Sequence, residues 1–162
     1  MKRFYAVVIL CVCVFALAAV ALTGCSGNAS SLTSEQQANR TYMSKVNEIM
    51  NQLGDQLDSF VDAVSRNDVV NMHTQSENAF TTLDQLSKLE APEALADVHK
   101  KYIDGAGKMR EALQEYIDLY TEIDAGSLDQ STYNKRIADV QSKYDEGVSM
   151  LKEADEAAAS KQ

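Results

Sequence analysis

The chain is poor in cysteine, and its few cysteines lie close together. Only three occur in 162 residues, at Cys11, Cys13 and Cys25, so none follows position 25. Residues 26–162 therefore lack the thiols needed for a disulfide, a cysteine nucleophile, or a zinc or iron–sulfur site with cysteine ligands. These kinds of chemistry are excluded from most of the chain.

Clustered positive charge is also missing. The chain carries 24 acidic and 15 basic residues, a formal net charge of −9, and its Lys and Arg residues are scattered among carboxylates. Nucleic-acid binding and docking on anionic lipid both require clustered Lys and Arg, so we expect neither. The motifs G-x-S-x-G, H-E-x-x-H and C-x-x-C-H and a phosphate-binding glycine loop are absent too. We therefore expect a protein that is not an enzyme and has no cofactor.

Residues that interrupt helices are rare. Pro92 is the sole proline, tryptophan is absent, and glycines are few after Gly27, whereas Ala, Leu, Gln, Glu and Lys are common. This composition favours helices, and no stretch shows the alternation of polar and apolar residues that is typical of a strand. The sequence therefore predicts an all-α protein.

The first 25 residues contain a characteristic order of features. Two cationic residues, at positions 2 and 3, precede an uncharged apolar run over residues 4–22, and small residues then lead to Cys25. This order is typical of an export signal with a cleavage site. The sequence Leu22-Thr23-Gly24-Cys25 resembles a bacterial lipobox.

The resemblance to bacterial lipoproteins implies cleavage between Gly24 and Cys25 and a diacylglyceryl group on Cys25. Residues 1–24 would be a removed signal peptide, which would take the net charge from −9 to −11. The protein would be held by its lipid at the extracytoplasmic face of the cell membrane, or at an outer membrane if the host has one. Two alternatives stay open: an uncleaved transmembrane helix, since roughly 20 apolar residues can span a bilayer, and an ordinary secretory signal. All three place residues 26–162 outside the cytoplasm.

The rest of the chain divides into a tether and one domain. Residues 25–33, the lipidated cysteine and a small polar stretch, are predicted to be a flexible tether, and residues 34–162 a helical domain. Apolar residues three and four positions apart predict four helices. Their predicted ranges are 34–66, 68–90, 92–124 and 127–157, with possible capping boxes at Ser34 with Gln37 and at Ser127 with Gln130, and a helix stop at Gly126.

The short connections between these helices favour antiparallel neighbours. We therefore expect an elongated up-down-up-down four-helix bundle that follows the N-terminal signal helix. A helix of 33 residues is about 50 Å long, so the domain should be a rod. The alternative is a three-helix arrangement in which the second helix joins its neighbours less regularly.

Two histidines are the first candidates for a binding site. His73 and Glu77 lie four residues apart on the second helix, so they could share a cation or form an ordinary surface pair. The di-metal motif Glu-x-x-His is absent, because Val70 and Ala96 stand three residues before the two histidines. His99, near the start of the third helix, could contact a ligand or lie at the edge of the core.

Aromatic residues and glycines of the third and fourth helices supply the other candidates. Five tyrosines, among them Tyr102, could line a groove that binds a sugar, peptide or aromatic ligand, although their spacing favours core packing. Gly105 and Gly107 are unusual in mid-helix and could mark a close helix crossing, a kink or a ligand notch.

The sequence alone leaves two functional hypotheses. The first is a lipid-anchored, non-enzymatic helical bundle that acts through contact with another protein of the cell envelope. The second is a module that binds a small ligand or metal between its helices. The segment from Leu86 to Tyr102 also resembles all-helical lipoproteins of unassigned role, and this resemblance implies no site residues.

Overall fold

The structure, a computed structural model, describes residues 32–161. The predicted signal peptide, the predicted cleavage site at Gly24, the predicted lipidation site at Cys25 and most of the predicted tether lie outside the described residues. No helix within residues 32–161 combines the length and the apolar character needed to cross a membrane.

Four helices form the described part of the chain, which contains no strand, so the all-α prediction is confirmed. A three-residue 3₁₀ turn, Glu93–Leu95, precedes the third helix. The helices are α1 (Ser34–Ser65), α2 (Val69–Ser87), α3 (Ala96–Asp124) and α4 (Gln130–Ala159).

Both predicted capping boxes were misplaced. The cap of α1 is Thr33, whose hydroxyl accepts from Gln36 N at 3.2 Å, while Gln36 Oε1 accepts from Thr33 N at 3.0 Å. The cap of α4 is Asp129, whose carboxylate accepts from two backbone N–H groups of the first turn. Ser127 instead donates its hydroxyl to Glu122 O at the end of α3. A carboxylate can accept several hydrogen bonds at once, which favours Asp129 over Ser127 as the cap.

The turns between helices differ from the predictions in small ways. The α2 helix ends at Ser87, three residues earlier than expected. Pro92 lies directly before the 3₁₀ turn, whereas we expected it in the first turn of the third helix. The predicted stop at Gly126 is confirmed, since its φ of 67° lies in the left-handed region that favours glycine. Asn67 adopts a similar φ of 59° between α1 and α2.

The core extends along the inner faces of all four helices. On α1 the apolar residues that recur every three or four positions are buried except the half-buried Val64, as the predicted helix requires: Met43, Val46, Met50, Leu53, Leu57, Phe60 and Val64. The α4 helix packs chiefly against α3, and its apolar residues at the same spacing are less buried. Val140 and Leu151 are buried, whereas the others are half-buried: Tyr133, Ile137, Tyr144 and Val148.

Contacts between α3 and α4 join the start of one helix to the end of the other. Tyr102 binds Asp155 near one end, and Arg136 binds Glu122 near the other. The two helices therefore run antiparallel. The up-down-up-down order of all four helices and the rod shape stay predictions.

Candidate functional site

His73 and Glu77 do not form a site with each other. Both side chains are exposed on α2, and no hydrogen bond or ion pair joins them. Within residues 32–161 no three His, Cys, Asp or Glu side chains group together as metal ligands would.

His99 and Tyr102 belong to a polar layer that crosses the bundle interior. We define the polar layer as Tyr42 of α1, His99 and Tyr102 of α3, and Asp155 of α4. The Tyr42 hydroxyl lies 2.9 Å from His99 Nδ1, and the two rings meet edge-on with centroids 5.8 Å apart. Tyr102, whose side chain is 0% exposed, donates its hydroxyl to Asp155 Oδ1. The polar layer thus links α1, α3 and α4.

Burial dominates the electrostatics of the polar layer. Loss of solvent raises the pKa of Tyr42 to about 12, and burial together with the Asp155 hydrogen bond raises the pKa of Tyr102 further. Burial also lowers the pKa of His99 and raises that of Asp155. Each shift disfavours the charged form, as removal from water does. At neutral pH the layer therefore holds protonated phenols and a neutral imidazole, and the Tyr42 hydroxyl can donate to Nδ1.

The lowered pKa of His99 predicts that the protein loses stability as the pH falls. A folded-state pKa below the unfolded value of about 6.5 means that the unfolded chain binds more protons near that pH. His99 therefore contributes stability above pH 6.5 that is lost as the pH falls below it. Urea unfolding between pH 8 and 5 should show a smaller loss for His99→Gln than for the wild type.

The raised pKa of Asp155 acts in the opposite direction, because its contribution is lost as the pH rises above 3.8. The two effects are separable, since Asp155→Asn should leave in place the loss of stability that His99 causes below pH 6.5. Equal pH profiles for the wild type and His99→Gln would contradict the assignment.

The two glycines predicted as an unusual feature of α3 have different surroundings. A Cβ on Gly105 would lie 3.0 Å from Leu151 Cγ, so Gly105 marks a close crossing of α3 and α4. Gly107 is exposed and would have nothing within 4 Å of a Cβ. Leu151 fills the space beside Gly105, and Tyr102 is buried. Gly105 and Tyr102 therefore do not line an open groove.

Sequence reasoning overlooked Gly147 of α4, the partner of Gly105 in this crossing. A Cβ on Gly147 would lie 3.0 Å from Met109 Cγ and 3.2 Å from Gly105 O. A glycine in the middle of a predicted helix was the available signal, as it was for Gly105. Tyr42 and Asp155 carried no such signal, since their pairing depends on contacts between distant segments.

A groove of about 730 Å³ lies over α3 between α2 and α4. We call it the α3 groove. Glu77 and Phe80 of α2 form one wall, and Arg136 and Lys143 of α4 form the other. The floor is one face of α3, made of Arg110, Glu111, Gln114, Glu115 and Asp118. Of the predicted site residues, only Glu77 takes part in it.

The cations of the α3 groove are already engaged by the protein. Arg110 pairs with Asp84, donates to Phe80 O at 2.8 Å, and lies 4.8 Å from the centroid of the Phe80 ring.

On the opposite wall, Arg136 Nη1 lies 2.6 Å from Glu122 Oε1, and Lys143 pairs with Glu115. These hydrogen bonds raise the pKa of both basic groups. The groove is therefore a charged surface whose positive groups are individually neutralised.

Comparison with known proteins finds no matching family model, curated protein or solved structure. The class that the fold defines is all-α, with four helices in the described residues. Two features of residues 32–161 are candidates for a functional interpretation, the charged α3 groove and the buried polar layer.

Proposed function

We propose that this protein is a lipid-anchored helical protein of the extracytoplasmic envelope that acts by binding another protein and has no enzymatic activity. The observation that carries the proposal is the lipobox-like sequence Leu22-Thr23-Gly24-Cys25 behind a cationic start and an apolar run. Two acyl chains hold a protein stably at a membrane, whereas one holds it reversibly. A diacylated Cys25 would therefore be a lasting anchor.

The short distance along the chain from Cys25 to α1 supports a bundle held near the membrane. Eight residues, 26–33, separate the cysteine from Ser34, and an extended chain of that length reaches at most about 28 Å. The end of the bundle that contains the start of α1 would face the membrane. The α3 groove would lie on the side of the anchored bundle, accessible to a neighbouring protein.

The anchor is tested by comparing the wild type with Cys25→Ala in a bacterial host. Mass spectrometry of the wild type should find a mature amino terminus at Cys25 carrying a diacylglyceryl group, and the protein should fractionate with membranes. The Cys25→Ala variant should lose the lipid and, with it, this mature terminus. The matched control is Cys11→Ala, which changes a cysteine within the predicted signal peptide and should behave as wild type.

The contact function is tested by crosslinking in intact cells. A specific adduct with one envelope protein is expected for the wild type and should weaken for Cys25→Ala, because the anchor concentrates the protein at the membrane. An intact Met1 peptide with unacylated Cys25 would contradict the anchor, and the absence of any specific adduct would contradict the contact role.

A second candidate is a small-ligand module, which the size of the α3 groove favours. Pockets for small molecules have volumes of roughly 300–1,000 Å³, but they are mostly apolar, and Phe80 is the only apolar residue that lines this groove. A thermal-shift screen with metabolites and metal ions separates the two candidates, because only a ligand module should be stabilised.

A further inference from the structure

The floor of the α3 groove is a helix face that no other described helix covers. Its residues are polar or charged, and they lie on one side of α3 because steps of three and four positions along the helix connect them. The α2 and α4 helices flank this face but leave the groove of about 730 Å³ open between them. A chain segment from another molecule could lie along it.

Ion pairing inside the protein leaves the groove with surplus negative charge. Arg110, Arg136 and Lys143 are each paired with a carboxylate, as described above. Three lining carboxylates are not used in those pairs, and all three side chains belong to exposed residues: Glu77, Glu111 and Asp118.

The surroundings of these three carboxylates compensate their negative charge only in part. Glu77 has no hydrogen bond or ion pair through its side chain in the described structure. Glu111 forms an ion pair with Lys108 at 3.8 Å and contributes to the raised pKa of Lys143. Asp118 accepts from the neutral Gln114 amide at 3.0 Å and contributes to the raised pKa of Arg136. The groove thus attracts cations, in agreement with the acidic charge of the whole chain.

We propose that the α3 groove is the docking site for a lysine- and arginine-rich segment of a partner protein. This proposal rests on the proposed contact function and names the surface and chemistry of that contact. Charge complementarity is the argument: a basic segment would pair with Glu77 on one wall and with Glu111 and Asp118 on the floor. Because its cations are already paired, the groove offers an acidic segment no comparable attraction.

The direct test uses the full mature protein in detergent micelles and two labelled peptides of equal length. One peptide alternates lysine with serine, and the other alternates glutamate with serine. Fluorescence anisotropy should detect the lysine peptide only, and its affinity should fall as salt is added. Replacing the three groove carboxylates, in E77Q/E111Q/D118N, should weaken binding by roughly tenfold, which corresponds to about 1.4 kcal/mol.

A matched control removes the same charge elsewhere. Glu48, Asp55 and Asp58 are exposed on α1 and do not line the groove. The variant E48Q/D55N/D58N should bind the lysine peptide within about twofold of wild type, since exposed charges far from the site are screened by salt. Both triple variants change exposed side chains, and urea unfolding of each verifies that the fold is intact.

Several outcomes would overturn the docking site. Equal weakening by the two triple variants would show that net charge alone drives binding. Spermine binding as tightly as the lysine peptide would identify a small cation as the occupant. Self-association that E77Q/E111Q/D118N abolishes would identify a second copy of the chain.

The outcome is independent of the anchor, because the peptide test does not require lipid. Failure of peptide binding with an intact crosslinked adduct would overturn the groove and leave the contact function standing. Peptide binding without any adduct in cells would overturn the contact function and leave the groove standing as a site for basic segments.

Discussion

Replacing Tyr102 with alanine is expected to lower the free energy of unfolding by about 3–5 kcal/mol, the usual cost of deleting a buried aromatic side chain. Tyr102 is 0% exposed, and its ring lies in the core while its hydroxyl binds Asp155. Alanine would leave a cavity between helices and remove a partner from a half-buried carboxylate. Since domains of this size have total stabilities of about 5–15 kcal/mol, the variant should be close to unfolding. Urea titration followed by circular dichroism measures the change.

The matched control is Tyr102→Phe, which keeps the ring and removes only the hydroxyl. Its cost should be about 1–2 kcal/mol, the range for one hydrogen bond whose acceptor loses its partner. Similar losses for the two variants would show that the hydrogen bond to Asp155, and not the packing of the ring, accounts for the effect.

Replacing Gly147 with leucine is expected to destabilise the protein by about 1–3 kcal/mol through overpacking. A Cβ at this position would lie 3.1 Å from Met109 N and 3.2 Å from Gly105 O, and these backbone atoms cannot move unless α3 moves. Leucine is a better helix former than glycine, so local propensity predicts the opposite sign. A loss measured by urea unfolding would therefore report the close approach of α3 and α4.

Gly107→Ala is the control for this crossing. Gly107 is a mid-helix glycine with nothing within 4 Å of a Cβ, so alanine should raise the free energy of unfolding by about 0.5–1 kcal/mol. Stabilisation by Gly147→Leu as well would mean that α3 and α4 are not in close contact at this point.

The helices themselves could be predicted because their signals are local. The range 34–66 agrees with the observed Ser34–Ser65, since an apolar seam and short polar breaks mark the helix along the chain. The caps were misplaced because several polar residues compete at each helix start. Thr33 and Asp129 are the caps because their side chains accept hydrogen bonds from backbone N–H groups of the first turn.

Most features of the candidate sites could not be predicted from local signals in the sequence. His99 and Tyr102 were recognised as candidates, but their partners Tyr42 and Asp155 come from other helices, and one pair is separated by 57 residues and the other by 53. The α3 groove depends on where α2 and α4 lie relative to α3. No spacing within one helix encodes that lateral position.

The amino-acid order was sufficient for the helical class and the helix breaks, and it predicts an envelope anchor at Cys25. Residues close together in the chain determine the hydrogen bonds within a helix, the i to i+4 spacing and the predicted apolar export segment. Three-dimensional packing was needed to pair Tyr102 with Asp155, to bring Gly147 against Met109 and to leave the α3 groove open. Those features depend on the register and separation of the helices. Both are determined by the packing of many side chains that are distant in the chain.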